Sequence, residues 1–368
     1  MNRLFPNLPE YWEAQGMEVL RPDISEDELT QSIWKFFVKM PIRVEVIDAA
    51  ECVARVKESA GTYAILISAS IYTRLRALFL LFCKTKFLCS DACAIECLNR
   101  GFRFLELDEI QRHIATIFSK YETNAELCQA VDGIFRDISY REPLGTSATL
   151  TELAIQFLLG HEIGHVNQKH FKALYDKTED QLKVALDSTS PAGGKMYEVD
   201  ADAHGAEYLG IFAMVPYMRL RLSRRAIPNE DWDTLLATSM RHDTIACCAA
   251  IEMLHYMNVK YWPGIYSQVS ERMYLVSSQI SLVYFRILRH FLGMDYEDLL
   301  SRETAKGLML FRQLVAGGKD KGGYETETLI LSKLDGIIER TLETNECLTR
   351  LRRRFRTCSE EDLINAQV

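Results

Sequence analysis

Leu153-Ala154-Ile155-Gln156-Phe157-Leu158-Leu159-Gly160-His161-Glu162-Ile163-Gly164-His165 is an apolar run that closes on two histidines and a glutamate. The run reads as a buried helix. His161 and His165 are four apart, so they stand one turn above each other and both imidazoles can reach a single ion. Glu162 projects about 100° around the helix from His161. There a carboxylate can touch a metal-bound water without being a ligand. Titratable groups beside a core are costly to desolvate unless a metal or hydrogen bonds compensate. The stretch therefore predicts one helix carrying two metal ligands and a general base.

A catalytic zinc takes three protein ligands and leaves a fourth position open for water. Downstream stands Tyr197-Glu198-Val199-Asp200-Ala201-Asp202-Ala203-His204-Gly205-Ala206. Glu198 and Asp202 share a helical face, so Glu198 is expected to ligate. Asp202 is expected to hydrogen-bond the far nitrogen of a ligating histidine, fixing its tautomer and orientation. Ala201, Ala203, Gly205 and Ala206 are small, as a helix packed closely on the metal-bearing helix requires. His204 is the rival third ligand and ranks below Glu198, because it points away from the Glu198/Asp202 face.

Together, His161-Glu162-Ile163-Gly164-His165-Val166-Asn167-Gln168-Lys169-His170 and Glu198-Val199-Asp200-Ala201-Asp202 resemble the signature of the gluzincin endopeptidases typified by HtpX and the CAAX prenyl proteases. That family shows His-Glu-x-x-His-x-x-x-x-His and, later, Glu-x-x-Ala-Asp. The resemblance implies a zincin-like core in which His161, His165 and Glu198 hold Zn2+ and Glu162 is the catalytic base. One departure is large: those enzymes carry transmembrane helices, and no stretch here reaches the ~18 consecutive apolar residues that spanning needs. The chain is also similar to the Lit-type phage-exclusion peptidases, bacterial zinc proteases that cut a translation factor, in joining such a helix to a soluble-looking chain.

The expected chemistry is peptide-bond hydrolysis, with Glu162 taking a proton from the attacking water and delivering it to the leaving amine. An oxyanion donor is also needed. His242, His255 and Tyr256 qualify by residue type alone and stay outside the expected site. The expected function is a soluble, cytoplasmic zinc endopeptidase acting on a protein or peptide substrate. The alternative is a non-proteolytic regulatory or interaction protein that keeps a zincin fold with a structural or vestigial metal. Glu162 separates the two, because a binding module has no need of a base beside the metal.

The chain has 368 residues, enough for a substantial core, and its 48% hydrophobic and 26% charged content are ordinary for a globular protein. A formal charge of −8 argues against general nucleic-acid binding. The basic run Arg350-Leu351-Arg352-Arg353-Arg354-Phe355-Arg356 reads as a solvated helix end, with a docking patch for an acidic partner or nucleic acid as the lesser reading. No apolar signal segment opens the chain, so the ten cysteines are expected to be reduced. Cys83, Cys89, Cys93 and Cys97 read as a core stripe, since their spacing fits no zinc or iron-sulfur site.

Ser25-Glu26-Asp27-Glu28 reads as an acid-rich helix start, and 43–47 and 62–67 read as short strands. From about Thr73 the pattern is helical. Ser188 to Gly194 is a loop between the two metal-bearing helices, read first as a connector and second as a lid that an activating partner would release. Gly317 to Gly323 reads as a linker rather than a phosphate loop. The expected architecture is α+β and predominantly helical: a mixed region over 1–100, a zincin-like catalytic region over 101–260 and a helical region over 261–368.

Overall fold

The computed structural model describes residues 42–59, 62–85, 103–137, 146–168, 195–222, 229–258, 269–289 and 296–316. The expected helix start at Ser25, the cysteines at 89, 93 and 97, the two glycine-containing loops and the basic run lie outside the described residues.

Within them the chain is mostly helix with one small sheet, as the α+β reading expects. Three strands come first: β1 (Ile42–Ile47), β2 (Ala54–Ser59) and β3 (Thr62–Ser68). Their order is β1-β3-β2, with β3 parallel to β1 and antiparallel to β2. Ile65 and Ile67 of the central strand are fully buried.

The helices follow. They are α1 (Ala69–Cys83), α2 (Leu107–Ile117), α3 (Asn124–Asp137) and α4 (Thr146–Asn167), then α5 (Lys195–Leu222), α6 (Asn229–Asn258), α7 (Val269–Ile287) and α8 (Glu297–Ala316). Every residue of α1 is buried, including Arg74 and Arg76. Arg74 donates to the carbonyls of Ile117 and, at 3.1 Å, Ser119, so its charge closes the C-terminal end of α2. Arg76 donates to Ser147 Oγ at the start of α4.

The helix α4 is the axis of the molecule. Leu153 through Val166 are all buried, and a helix apolar on every side has to be enclosed. α5, α6, α1 and β2 surround it, and α7 and α8 pack in turn on α5 and α6. One apolar core joins residues from Cys52 to Leu314, so all three expected segments share it. No described helix is long and apolar enough to cross a membrane.

Candidate metal centre

The approach of α5 to α4 makes the centre. A side chain at Gly205 would place its Cβ 3.0 Å from both His161 N and Phe157 O, and one at Gly164 would sit 2.9 Å from His204 Cβ and 3.2 Å from Ala201 Cα. Only glycine permits that approach. Ala201 and Ala206 are fully buried at the same interface.

This contact brings His161, His165 and Glu198 together, with one potential ligand atom from each inside 4.8 Å of the others. The two Nε2 atoms are 3.1 Å apart. Glu198 Oε2 is 3.4 Å from His161 Nε2, and Glu198 Oε1 is 3.5 Å from His165 Nε2. Two ligands ~2.0–2.1 Å from a tetrahedral ion stand about 3.3 Å apart, so the spacing fits such an ion. The donor chemistry fits as well. Asp202 Oδ1 lies 2.9 Å from His161 Nδ1, which makes that nitrogen the N–H donor and turns Nε2 towards the cluster, where an ion would take the place of its proton.

The electrostatics show what the centre wants. Burial disfavours charge on His161, yet hydrogen bonds and field from Asp202 and Glu198 raise its pKa to about 10. Burial opposes ionisation of Glu198 too, but His165, His161 and Arg272 hold its carboxyl far below the usual range. The centre is built to hold positive charge. Glu162 behaves differently: burial pushes it up to about 7, with Glu198 adding to the rise and His161 and the backbone of Val56 partly offsetting it. A carboxyl poised there can accept and return a proton near neutral pH.

Val56 belongs to β2, and the strand register explains its role. Ser68 N–H donates to Val53 O at 2.8 Å, and Val53 N–H donates to Ser68 Oγ at 2.9 Å. By antiparallel alternation, the backbone groups of Ala54, Val56 and Glu58 point away from β3. Among the described residues β2 pairs with β3 alone. The outward edge of β2 therefore faces Glu162, with the Val56 backbone bonded to its carboxyl.

Asp202 lies behind His161, on the Nδ1 side of its ring. His204 lies outside the cluster: its Nδ1 is 3.1 Å from Gly160 O and its Nε2 is 3.2 Å from Asn167 Nδ2. His255 and Tyr256 line a cavity of about 600 Å3 with Cys52, Arg74, Phe118 and Tyr121, and none of the three ligand residues is in its walls. Sequence reasoning missed Arg272, which is 1% exposed. Its Nε donates to Asp202 Oδ2 and its Nη2 to Asp202 Oδ1, both at 2.7 Å. A signal was present: Arg272 stands in helical register with Val276, Ile280 and Tyr284, all buried, and an arginine in such a stripe needs a partner. Comparison with family models, curated proteins and solved structures finds no match.

Proposed function

We propose that this chain is a zinc-dependent endopeptidase, with His161, His165 and Glu198 as the metal ligands and Glu162 as the general base. The observation that carries the reading is the convergence of those three ligand atoms within 4.8 Å beside a buried carboxyl whose pKa is pushed up to about 7. Zinc bound there would polarise the scissile carbonyl and make a bound water acidic near neutral pH. Glu162 takes the proton from the attacking water and returns it to the leaving amine. Asp202 holds the Nδ1–H of His161, so the ring presents Nε2 throughout.

The outward edge of β2 supports a peptide substrate rather than a small molecule. An extended chain can add to that edge as a further strand, its backbone meeting the outward groups of Ala54 and Glu58 on either side of Val56, whose own backbone already meets Glu162. That pose sets a substrate amide beside Glu162.

Elemental analysis of the wild type, His161→Ala, Glu198→Ala and Glu162→Gln, with peptide-library cleavage measured in parallel, tests the reading. One zinc per chain is expected in wild type and in Glu162→Gln, and its loss in the two ligand variants. Hydrolysis in Glu162→Gln should fall by about 10²–10⁴-fold. A metal-replete wild type that holds no zinc sinks the proposal and leaves a non-catalytic interaction protein as the reading. Full activity in Glu162→Gln removes the base from its role.

A further inference from the structure

We infer that Arg272 is a positioning residue for the metal centre: through its two-point hold on Asp202 it fixes His161 in the ligating orientation. The inference rests on the metal-binding half of the proposed function and needs no peptidase activity.

Four observations carry it. Arg272 comes from α7, so a third helix reaches a centre whose ligands all lie on α4 and α5. Its Nε and Nη2 bind the two oxygens of Asp202 at 2.7 Å each, a planar fork on a planar carboxylate. Asp202 in turn meets His161 Nδ1 at 2.9 Å. The chain Arg272–Asp202–His161 is buried along its whole length, with all three residues no more than 3% exposed. None of its members can be replaced by bulk water without opening the core.

Charge explains why a cation is tolerated so close to a metal site. Glu162, Glu198 and Asp202 bring three negative charges when ionised; a divalent ion and Arg272 bring three positive ones. Arg272 Nη2 is 3.9 Å from Glu198 Oε2, a long contact beside the two 2.7 Å bonds to Asp202, so its hold on the centre runs through Asp202. Its depth and its engagement with Asp202 separate this role from that of a donor to substrate.

Electrostatics and positioning make opposite forecasts, which is what makes the inference testable. Deleting a positive charge beside a cation site should by itself tighten binding. Releasing Asp202 should loosen His161 and weaken it. The positioning role predicts that Arg272→Gln lowers zinc affinity by about 10- to 100-fold, as lost outer hydrogen bonds to ligating histidines do. Arg272→Lys keeps the charge but not the fork, and should lose affinity as well.

The measurement is chelator competition for zinc on the full chain, with folding of each variant checked by circular dichroism; Arg272→Lys keeps the test open should Arg272→Gln fail to fold. Because Arg272 acts through Asp202, the Arg272→Lys/Asp202→Asn double variant should bind zinc no more weakly than Asp202→Asn alone. Unchanged or tighter binding in a folded Arg272 variant overturns the inference, as do additive losses in the double variant. Zinc binding absent from the wild type removes the proposed function with it, whereas equal binding by wild type and variants removes this inference alone.

Discussion

Asp243 and its neighbour His242 respond to pH in opposite senses for one shared reason, burial. Burial pushes the Asp243 carboxyl from its ordinary 3.8 to about 7, although a hydrogen bond from Tyr284 pulls the other way. Burial, with Arg241 alongside, drives the His242 imidazole from 6.5 down to about 4. The folded state therefore keeps a proton on Asp243 that the unfolded chain releases. That contribution to stability is whole below 3.8 and is lost as pH rises through about 7. The His242 contribution is whole above 6.5 and is lost as pH falls through about 4. Asp243→Asn leaves an acceptor for Tyr284 but removes the titration. Urea unfolding at pH 4.5 and 7.5 should then show the wild type losing ground to Asp243→Asn at the higher pH, by on the order of a few kcal/mol. A gap between the two that is the same at both pH values would mean that Asp243 is already ionised in the fold.

At the scale of elements, the centre depends on how near α5 comes to α4. Adding a methyl at Gly205 meets two backbone atoms at 3.0 Å, and neither can swing away. Gly205→Ala should cost about 1–3 kcal/mol by overpacking, and it should weaken zinc binding because Glu198 moves with α5. Gly133 of α3 is the contrast, since a Cβ there meets nothing within 4 Å. Gly133→Ala should instead stabilise by up to about 1 kcal/mol through helix propensity alone. Thermal midpoints of both variants, with zinc affinity for the first, check the pair; a Gly205→Ala protein with wild-type affinity would show that the helices can separate without disturbing the ligands.

The same elements show what could be read from the sequence. That His161 pairs with His165 and Glu198 with Asp202 on shared faces could be read because helical spacing is local arithmetic, and the small residues of α5 announced a close helix pair. β1 and β3 announced themselves by alternation and by a run of Ala, Ile and Leu. β2 did not: Ala54-Arg55-Val56-Lys57-Glu58-Ser59 offers little apolar periodicity, and it is a strand because β3 supplies its partner. Arg76 lies inside buried α1, where Ser147, 71 residues on, accepts from it, and no local pattern names such a partner. For Arg272 the apolar stripe signalled burial but not the partner: Asp202 is 70 residues away, and no periodicity reports a pair at that distance.

For the whole molecule, the proposed ligands sit on the two helices at the heart of the core, so metal binding and global stability should be one equilibrium. The ion would tie α4 to α5, and α4 also packs on α6, α1 and β2. Unfolding scatters His161, His165 and Glu198, so zinc has no comparable site in the unfolded chain. Zinc at about a thousand times its dissociation constant should then add about 4 kcal/mol to folding. In a chain of this length that raises the thermal midpoint by several degrees, since roughly 2–4 °C per kcal/mol applies to domains of 150–250 residues and less to larger ones. His165→Ala takes away one ligand and leaves most of the core packing in place, and its midpoint should not respond to zinc. The two melting curves, each with zinc and with a chelator, decide the matter. A wild-type midpoint that ignores saturating zinc would mean that the cluster closes without an ion, with a proton on His161 holding the two carboxylates together in its place.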